Sequence, residues 1–531
     1  MNKITLYLNR HISGNIFDKD SILEAYSTDR SILKIKPRLV ALPENTQDIR
    51  KLLRFVNQLA IKDFHLPVAI RGSGLDKTGA DLTSGLVIST EKMNRIYEID
   101  VHDRLVHVQA GVTLGHLNSA LAHQGLTLPI NVDPRETIGG IIANYPTDSY
   151  YAKYGGIANY IDRAEIVLST GECIQTSRLT KRALAKKKEL HTPEGELYRD
   201  LEKYLTETSE LLNQTFAKKP IPLIGYPAIP HVYRLNGRIF DPLPFFLGSE
   251  GTLGVISEVI LRCEVLPHRP QRMLVSFNSF HTANEFLRFA NTLHPLELNL
   301  YDLRILQAAE SHGKKPEVIT RKIEDGYIVY LSFNDSVYKT RQKLSKCINF
   351  LPKSANVIIE GPKNTEQFSH IATSITSYLN DDAKGERIPL INDIYISKAS
   401  LPNFFIDLRA LEEKLKTPLP IFGSFSANNY SFRPDINLSD VPGRRFALEL
   451  LKEFNELVNH HNGSIVGGNP EGRVKALVAN KSLSDDEIKL YKDLKKIFDP
   501  NDVLAPDIKF NSDVRSTIRH LRTSYTPYIV I

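Results

Sequence analysis

Three glycine-rich segments, each lying where a strand runs into a turn or a turn into a strand, constrain this chain more than any other feature. The first, Ile70-Arg71-Gly72-Ser73-Gly74-Leu75-Asp76-Lys77-Thr78-Gly79, follows the apolar stretch Pro67-Val68-Ala69-Ile70. A turn of this kind presents successive backbone N–H groups, a nest suited to a pyrophosphate. A tight turn without ligand asks for the same glycines. The spacing fits neither a phosphate-binding Walker loop nor a Rossmann fingerprint. The second segment, Asp133-Pro134-Arg135-Glu136-Thr137-Ile138-Gly139-Gly140-Ile141-Ile142-Ala143-Asn144, lets a flat ring approach the main chain at its Gly-Gly pair; a packed turn is the alternative. The third runs from Leu247 through Gly248, Gly251 and Gly254 into the β-branched Val255-Ile256.

Around these segments the apolar periodicity predicts alternating strands and helices. Helices are expected over Glu44–Ala60, Thr113–Gln124 and Leu197–Phe216, and strands at 67–70, 86–88, 106–110, 165–168 and 254–262. Pro267 and Pro270 break the pattern. Beyond them, strands at 272–277, 326–333, 356–360 and 419–423 alternate with helices at 281–293, 338–350 and 364–380, a second α+β unit. A long helix follows over Phe446–His461, and Ser484 with Glu487 forms a capping box for the last one. The 531 residues allow two to four domains at roughly 150 residues each. Three dispersed cysteines and the absence of a Cys-x-x-Cys pair argue against a disulfide framework or a thiolate zinc site and suit a reducing interior. Net charge is only +6, and the basic runs Lys181-Arg182 and Lys186–Lys188 read as solvated helix faces rather than a nucleic-acid surface. Neither a spanning segment nor a signal peptide is expected.

Taken together and in order, the three glycine segments resemble the FAD domain of the vanillyl-alcohol oxidase superfamily, the PCMH-type fold. Downstream, Gly423-Ser424-Phe425-Ser426-Ala427-Asn428-Asn429-Tyr430-Ser431-Phe432-Arg433-Pro434 is similar to the Gly-His-x-Gly-Asp-Gly-Asn-x-His-x-Arg-Pro segment of the D-lactate and D-2-hydroxyglutarate dehydrogenase and glycolate oxidase flavoprotein group. Gly463-Ser464-Ile465 to Gly472-Arg473 resembles that group's Gly-Ser-Ile-x-x-Glu-His-Gly-x-Gly segment, Phe498-Asp499-Pro500 its closing turn, and Asn392-Asp393 a Glu-Asp pair in its cap. The resemblance implies an α+β chain: a two-subdomain FAD domain over 35–267 and a cap with a mainly antiparallel sheet over 268–458. An arm (1–34), a segment returning to the FAD domain (459–512) and a tail (513–531) complete the division. It further implies that Gly72, Ser73, Gly74 and Leu75 cradle the pyrophosphate of FAD, and it counts Arg71, Asp133 and Pro134 among the cofactor-binding residues. Thr137, Ile138, Gly139, Gly140 and Asn144 would line the flavin and the second half of the phosphate site, and Glu250, Gly251 and Ile256 would hold the adenosine side and floor. No histidine lies at Arg71–Leu75, so FAD is expected to be non-covalent.

In that group the cap also supplies a divalent metal site from two histidines and a glutamate, with a further histidine as base. Here those positions are Ser424, Ser431, Gly468 and Asn469. Hydroxyls and a glycine do not replace imidazoles and a carboxylate for Zn²⁺ or Mn²⁺, so no metal is expected. Asn469 can orient a hydroxyl but cannot accept its proton. Arg433 could pair with a carboxylate or serve as an interdomain ion pair. Asn429 could contact substrate or form a turn. These three residues are the catalytic candidates. His102, His107, His116 and His123 are expected to be surface residues. The implied function is an FAD-dependent oxidoreductase that takes hydride from the CH–OH carbon of a small organic substrate and passes electrons to a quinone, a cytochrome, an electron-transfer flavoprotein or oxygen. The alternative is a flavin-binding subunit that has lost the reaction. A cytoplasmic location is expected, with peripheral contact at the inner membrane face left open.

Overall fold

The computed structural model describes residues 3–218, 224–234, 237–305, 326–352, 355–361, 365, 368 and 388–523. The expected helix near 364–380 therefore lies almost wholly outside the described residues, with only 365 and 368 within them.

The short apolar runs pair first into a four-stranded sheet, in the order Asn15–Phe17, Leu39–Leu42, Leu86–Ser89, Val68–Arg71. The last three strands are parallel. Their four-residue apolar runs suit strands covered on both faces. The helix Thr46–Ile61 makes one crossover; Asn45 accepts from the Asp48 N–H to start it, and Ile49, Leu52, Leu53 and Val56 form its fully buried stripe. Burying each such side chain contributes roughly 1.5–3 kcal/mol. The first thirty residues are built into this layer: Asn15–Phe17 adds an antiparallel edge against Leu39–Leu42.

A second sheet is antiparallel, in the order Ile96–Asp100, Leu105–Gln109, Val255–Arg262, Ile161–Val167, Cys173–Gln175. Its core takes in Leu490, Tyr491, Leu494 and Phe498 from the helix Asp485–Phe498, which begins with the expected capping box. The chain then reaches the first sheet. The Val68 N–H donates to the Val503 carbonyl at 2.8 Å, and the Ala505 N–H donates to the Val68 carbonyl at 2.7 Å. The C-terminal segment thereby ties the two FAD-side sheets together.

The third sheet has seven strands, in the order Asn356–Ile359, Gln271–Phe277, Tyr327–Phe333, Glu297–Asp302, Ile421–Ser424, Asn429–Phe432, Ile391–Tyr395. Every described pair in it is antiparallel. One face packs Val275, Leu298, Leu300, Val329 and Leu331 against the helices Phe280–Asn291, Leu401–Leu415 and Val441–His460. The alternation of strands then sends Asn299, Ser424 and Asn429, a directly paired row on three neighbouring strands, to the other face. Asn429 donates from Nδ2 to the Thr147 carbonyl at 2.8 Å, so this face looks toward the FAD side.

Two helices differ from the periodicity. The amphipathic run expected over Leu197–Phe216 is two helices, Pro193–Glu207 and Ser209–Ala217. Thr208 stops the first with its N–H and its Oγ1, both donating to the Tyr204 carbonyl, a local bond that competes with the helix. The long helix begins at Val441 rather than Phe446, because Asp440 accepts from the Gly443 N–H and Pro442 suits the first turn.

Candidate functional site

Where the first two layers meet beneath the cap, the three glycine segments converge on one cleft. Gly72, Ser73, Gly74 and Leu75 form one wall, Thr137, Gly139, Gly140 and Asn144 another, and Glu250, Gly251 and Ile256 the floor; Asn469 closes the cap side.

The local reasons are steric. Gly74 has a φ of +68°, and a Cβ there would lie 2.2 Å from the Arg71 guanidinium; a Cβ on Gly72 would lie 2.3 Å from Thr137 Oγ1. The loop is braced from below by Asp76, whose carboxylate accepts from the N–H groups of Thr78 and Ala80, both at 2.9 Å. Among the described residues no protein acceptor is found for the N–H groups of Gly72 to Lys77. A row of unpaired donors in a concave wall fits an anionic ligand such as a pyrophosphate. The Ile138–Asn144 helix starts at the opposite wall, with Thr137 Oγ1 accepting from the Gly140 N–H.

Four of the expected cofactor residues act from outside the cleft. Arg71 is buried under the loop, where its guanidinium donates to the Thr28 carbonyl and faces Asp81 at 3.7 Å. Ile138 is core. Asp133 and Pro134 lie one turn away; the Asp133 carboxylate accepts from Arg135 and faces Arg30 at 3.4 Å. Glu250 is at the floor, but its carboxylate turns inward to Lys509 at 2.8 Å and accepts from the Gly472 N–H at 3.3 Å. Burial pushes it up to about 7, against the pull of Lys509. Its other oxygen, Oε1, is buried at the cleft floor with no hydrogen-bond partner among the described residues.

The cap side carries a charged cluster. Asp393 Oδ2 accepts from Asn469 Nδ2 at 2.6 Å and pairs with Lys77 Nζ at 3.3 Å; the Asp393 N–H donates to Ser431 Oγ at 2.8 Å. Burial pushes the Asp393 carboxyl up, but Lys77, Lys475, the Asn469 bond and Arg433 outweigh that and hold it at about 2. Lys475 is 1% exposed, and its ammonium has no hydrogen-bond partner among the described residues. Burial lowers it to about 8, with Asp393 opposing. Glu136 lines the cleft, and burial there pushes its carboxyl up to about 7 against the nearby Lys77. Arg433 stays within the cap: it donates to Asn392 Oδ1 and the Phe432 carbonyl and lies over the Phe422 ring at 5.6 Å. The sequence reading names Lys77, Glu136 and Asp393 without a catalytic role and does not name Lys475. Lys77 and Asp393 are 316 positions apart, so no spacing reveals their pairing.

Two family models match this chain: the FAD binding domain over residues 37–177 and the FAD linked oxidases, C-terminal domain over residues 266–508. The chain belongs to the PCMH-type FAD-linked oxidoreductases. Its cofactor is FAD, which the unpaired donor row and the glycine-lined cleft fit. The D-2-hydroxyglutarate dehydrogenase of Pantoea ananatis is 24% identical over 90% of this chain and 48% of its own length. The chain spans about half the length of the D-2-hydroxyglutarate dehydrogenases most similar to it. Glycolate oxidase subunit GlcD of Bacillus subtilis is 23% identical, over 91% of each chain. In fold, the chain is similar to a 4-ethylphenol oxidase from Gulosibacter chungangensis, with a TM-score of 0.66 and 12% identity over 97% of this chain and 99% of that one. It is also similar to an alkyldihydroxyacetonephosphate synthase, with a TM-score of 0.63 and 16% identity over 95% and 86%. Within the described residues no helix is long and apolar enough to cross a membrane.

Proposed function

We propose that this chain oxidises the CH–OH carbon of a small hydroxy acid and does so without the divalent metal of its relatives. When bound, non-covalent FAD supplies the hydride acceptor. The donor row from Gly72 to Lys77 would hold its pyrophosphate, and Gly139, Gly140 and Asn144 would line its ring. The single observation that carries the reading is the chain of groups at the cap side of the cleft, running Glu136, Lys77, Asp393, Asn469. Asn469, tied to Asp393 through Nδ2, keeps its carbonyl for the substrate hydroxyl. Glu136, which lines the same cleft and titrates near neutrality, is the group fit to take the hydroxyl proton. Asn429 Oδ1, which has no protein partner among the described residues, adds an acceptor from the cap sheet. Arg433 positions the Asn392-Asp393 pair.

The metal-free part rests on the four replaced positions. Ser431 Oγ is taken by the Asp393 N–H. Gly468 has no side chain, and the Asn429 amide fills the space beside it: a Cβ would lie 2.0 Å from Asn429 Nδ2. Two lysines around Asp393 supply positive charge instead.

The test is anaerobic reduction of the FAD-loaded protein by a panel of 2-hydroxy acids, followed as bleaching of the flavin band. One or more donors should bleach it at a rate unchanged by EDTA, and Glu136→Gln should slow that rate on the order of 100-fold with FAD retained. Loss of bleaching after EDTA, restored by Zn²⁺ or Mn²⁺, would refute the metal-free reading. Full rate in Glu136→Gln would remove Glu136 from the mechanism. No bleaching by any hydroxy acid would refute the substrate class.

A further inference from the structure

The histidines missing from the inner face of the cap have counterparts on its helical face. Asp407, on the helix Leu401–Leu415, and His460 and His461, at the end of Val441–His460, bring one ligand atom each within 4.8 Å of the others. His461 Nε2 lies 2.7 Å from Asp407 Oδ2. The two imidazole rings stand at 88° with centroids 5.1 Å apart.

Three physical points favour a cation here. The His461 ring is buried edge-on against Phe404 at 5.7 Å, so packing fixes its orientation before any ion arrives, and an ion would replace the present bond between Nε2 and Asp407. The two histidines close a 20-residue helix at its C-terminal end, where the unpaired carbonyls carry partial negative charge. No lysine or arginine pairs with Asp407 among the described residues; its ion-pair partner is His461. His460 is exposed, so an ion and its waters have access.

We propose that Asp407, His460 and His461 form a binding site for a late first-row divalent ion such as Zn²⁺ or Co²⁺, with three protein ligands and the remaining positions held by water. Two imidazoles and one carboxylate are a ligand set such ions take. The ion would clamp the two helices that back the cap sheet. The chain past His461 runs on through Ser464, bridged to Tyr395, to Asn469, so the clamp bears on the segment that carries the cap side of the cleft. The site is separate from the reaction proposed above and stands or falls without it.

The FAD-loaded, EDTA-stripped protein, titrated with Zn²⁺ in a calorimeter, should take up one equivalent saturably. Co²⁺ should give visible absorption of a low-coordinate complex, and Zn²⁺ should raise Tm. His460→Ala should weaken uptake at least ~10-fold and abolish the Tm shift. Its side chain is exposed, so the variant is expected to fold, and its flavin spectrum checks that. Asp407→Asn should weaken uptake similarly. His102→Ala removes an exposed histidine paired with Asp103 at 2.7 Å and should change nothing. The proposal is overturned if the parent protein takes up no saturable equivalent. It is equally overturned if His460→Ala binds as the parent does, or if His102→Ala loses as much as His460→Ala.

Discussion

The two walls of the cleft have kept different things. The FAD wall keeps backbone: glycines where a Cβ would collide, a donor row without acceptors, and helix and strand ends aimed inward. The cap wall is built from side chains, with Ser431, Gly468 and Asn469 all hydrogen-bonded to Asp393 and Lys77 paired with it. The contrast teaches how each function is encoded. A cofactor recognised by main-chain groups tolerates extensive side-chain change and penalises added carbon. A site built from side chains depends instead on which residues the folded cap brings together.

The comparison breaks most sharply at Gly74. Gly74→Val adds branched carbon at a φ of +68°, where even a Cβ lies 2.2 Å from the buried Arg71 guanidinium. Backbone strain of ~3 kcal/mol on the loop would weaken FAD binding roughly 100-fold. The protein should purify without flavin absorbance and still show a cooperative unfolding transition, because the loop lies on the cleft surface. A yellow Gly74→Val protein would mean that the loop does not hold the cofactor.

On the cap wall, Asp393→Asn should behave in the opposite way. It removes the carboxylate from between Lys77 and the buried Lys475, leaving two ammonium groups facing each other. The expected cost is ~3 kcal/mol, read as a lower Tm at neutral pH. The sign follows from the low titration of Asp393: its stabilisation is complete above the ordinary carboxylate range and is lost as pH falls toward 2. FAD should remain bound, while hydroxy-acid reduction falls to background. Retained activity would separate Asp393 from the chemistry.

How much of this was legible depended on the distance over which each residue acts. The turn at Gly72–Gly74 is a local event, so its glycines and the strand before it could be read directly, while an anion nest and a plain tight turn stayed open. The capping box at Ser484 was legible for the same reason. Thr208 was not, because its periodicity is that of one continuous helix and only its back-bond to Tyr204 interrupts it. Glu250 is placed on the adenosine side only by the resemblance. Its ion-pair partner Lys509 lies far along the chain, so no local spacing reveals the pairing. Lys77 with Asp393, and Asp407 with the two histidines, likewise exist only after the cap has folded.

Glu250 gives the next test. Its folded-state titration near 7 lies above the ordinary carboxylate value, so the folded protein binds that proton more tightly than the unfolded chain. Stability from this group is therefore fully present below about 4.5 and is lost as pH rises through 7, on the order of 3 kcal/mol in all. Glu250→Gln should flatten the fall in Tm between pH 5 and pH 8 while leaving Lys509 paired with Glu471. An unchanged pH profile would place the titrating group elsewhere.

The smallest effect tests whether the cap wall could return to its relatives' chemistry. A side chain at Gly468 meets Asn429 Nδ2 first, and that atom is the end of a flexible side chain whose hydrogen bond goes to the Thr147 carbonyl at 2.8 Å. Gly468→Glu should thus be accommodated by rotation of Asn429 at the cost of that one bond, ~1 kcal/mol, or a drop of about 2–4 °C in Tm. Adding Asn429→Ala should remove most of the conflict, so the double variant should lose little beyond Asn429→Ala alone. Were Gly468→Glu to unfold the protein instead, the rigid partner would be the strand beneath Asn429. The cap wall would then be closed to a carboxylate by its backbone, as the FAD wall is closed to a Cβ.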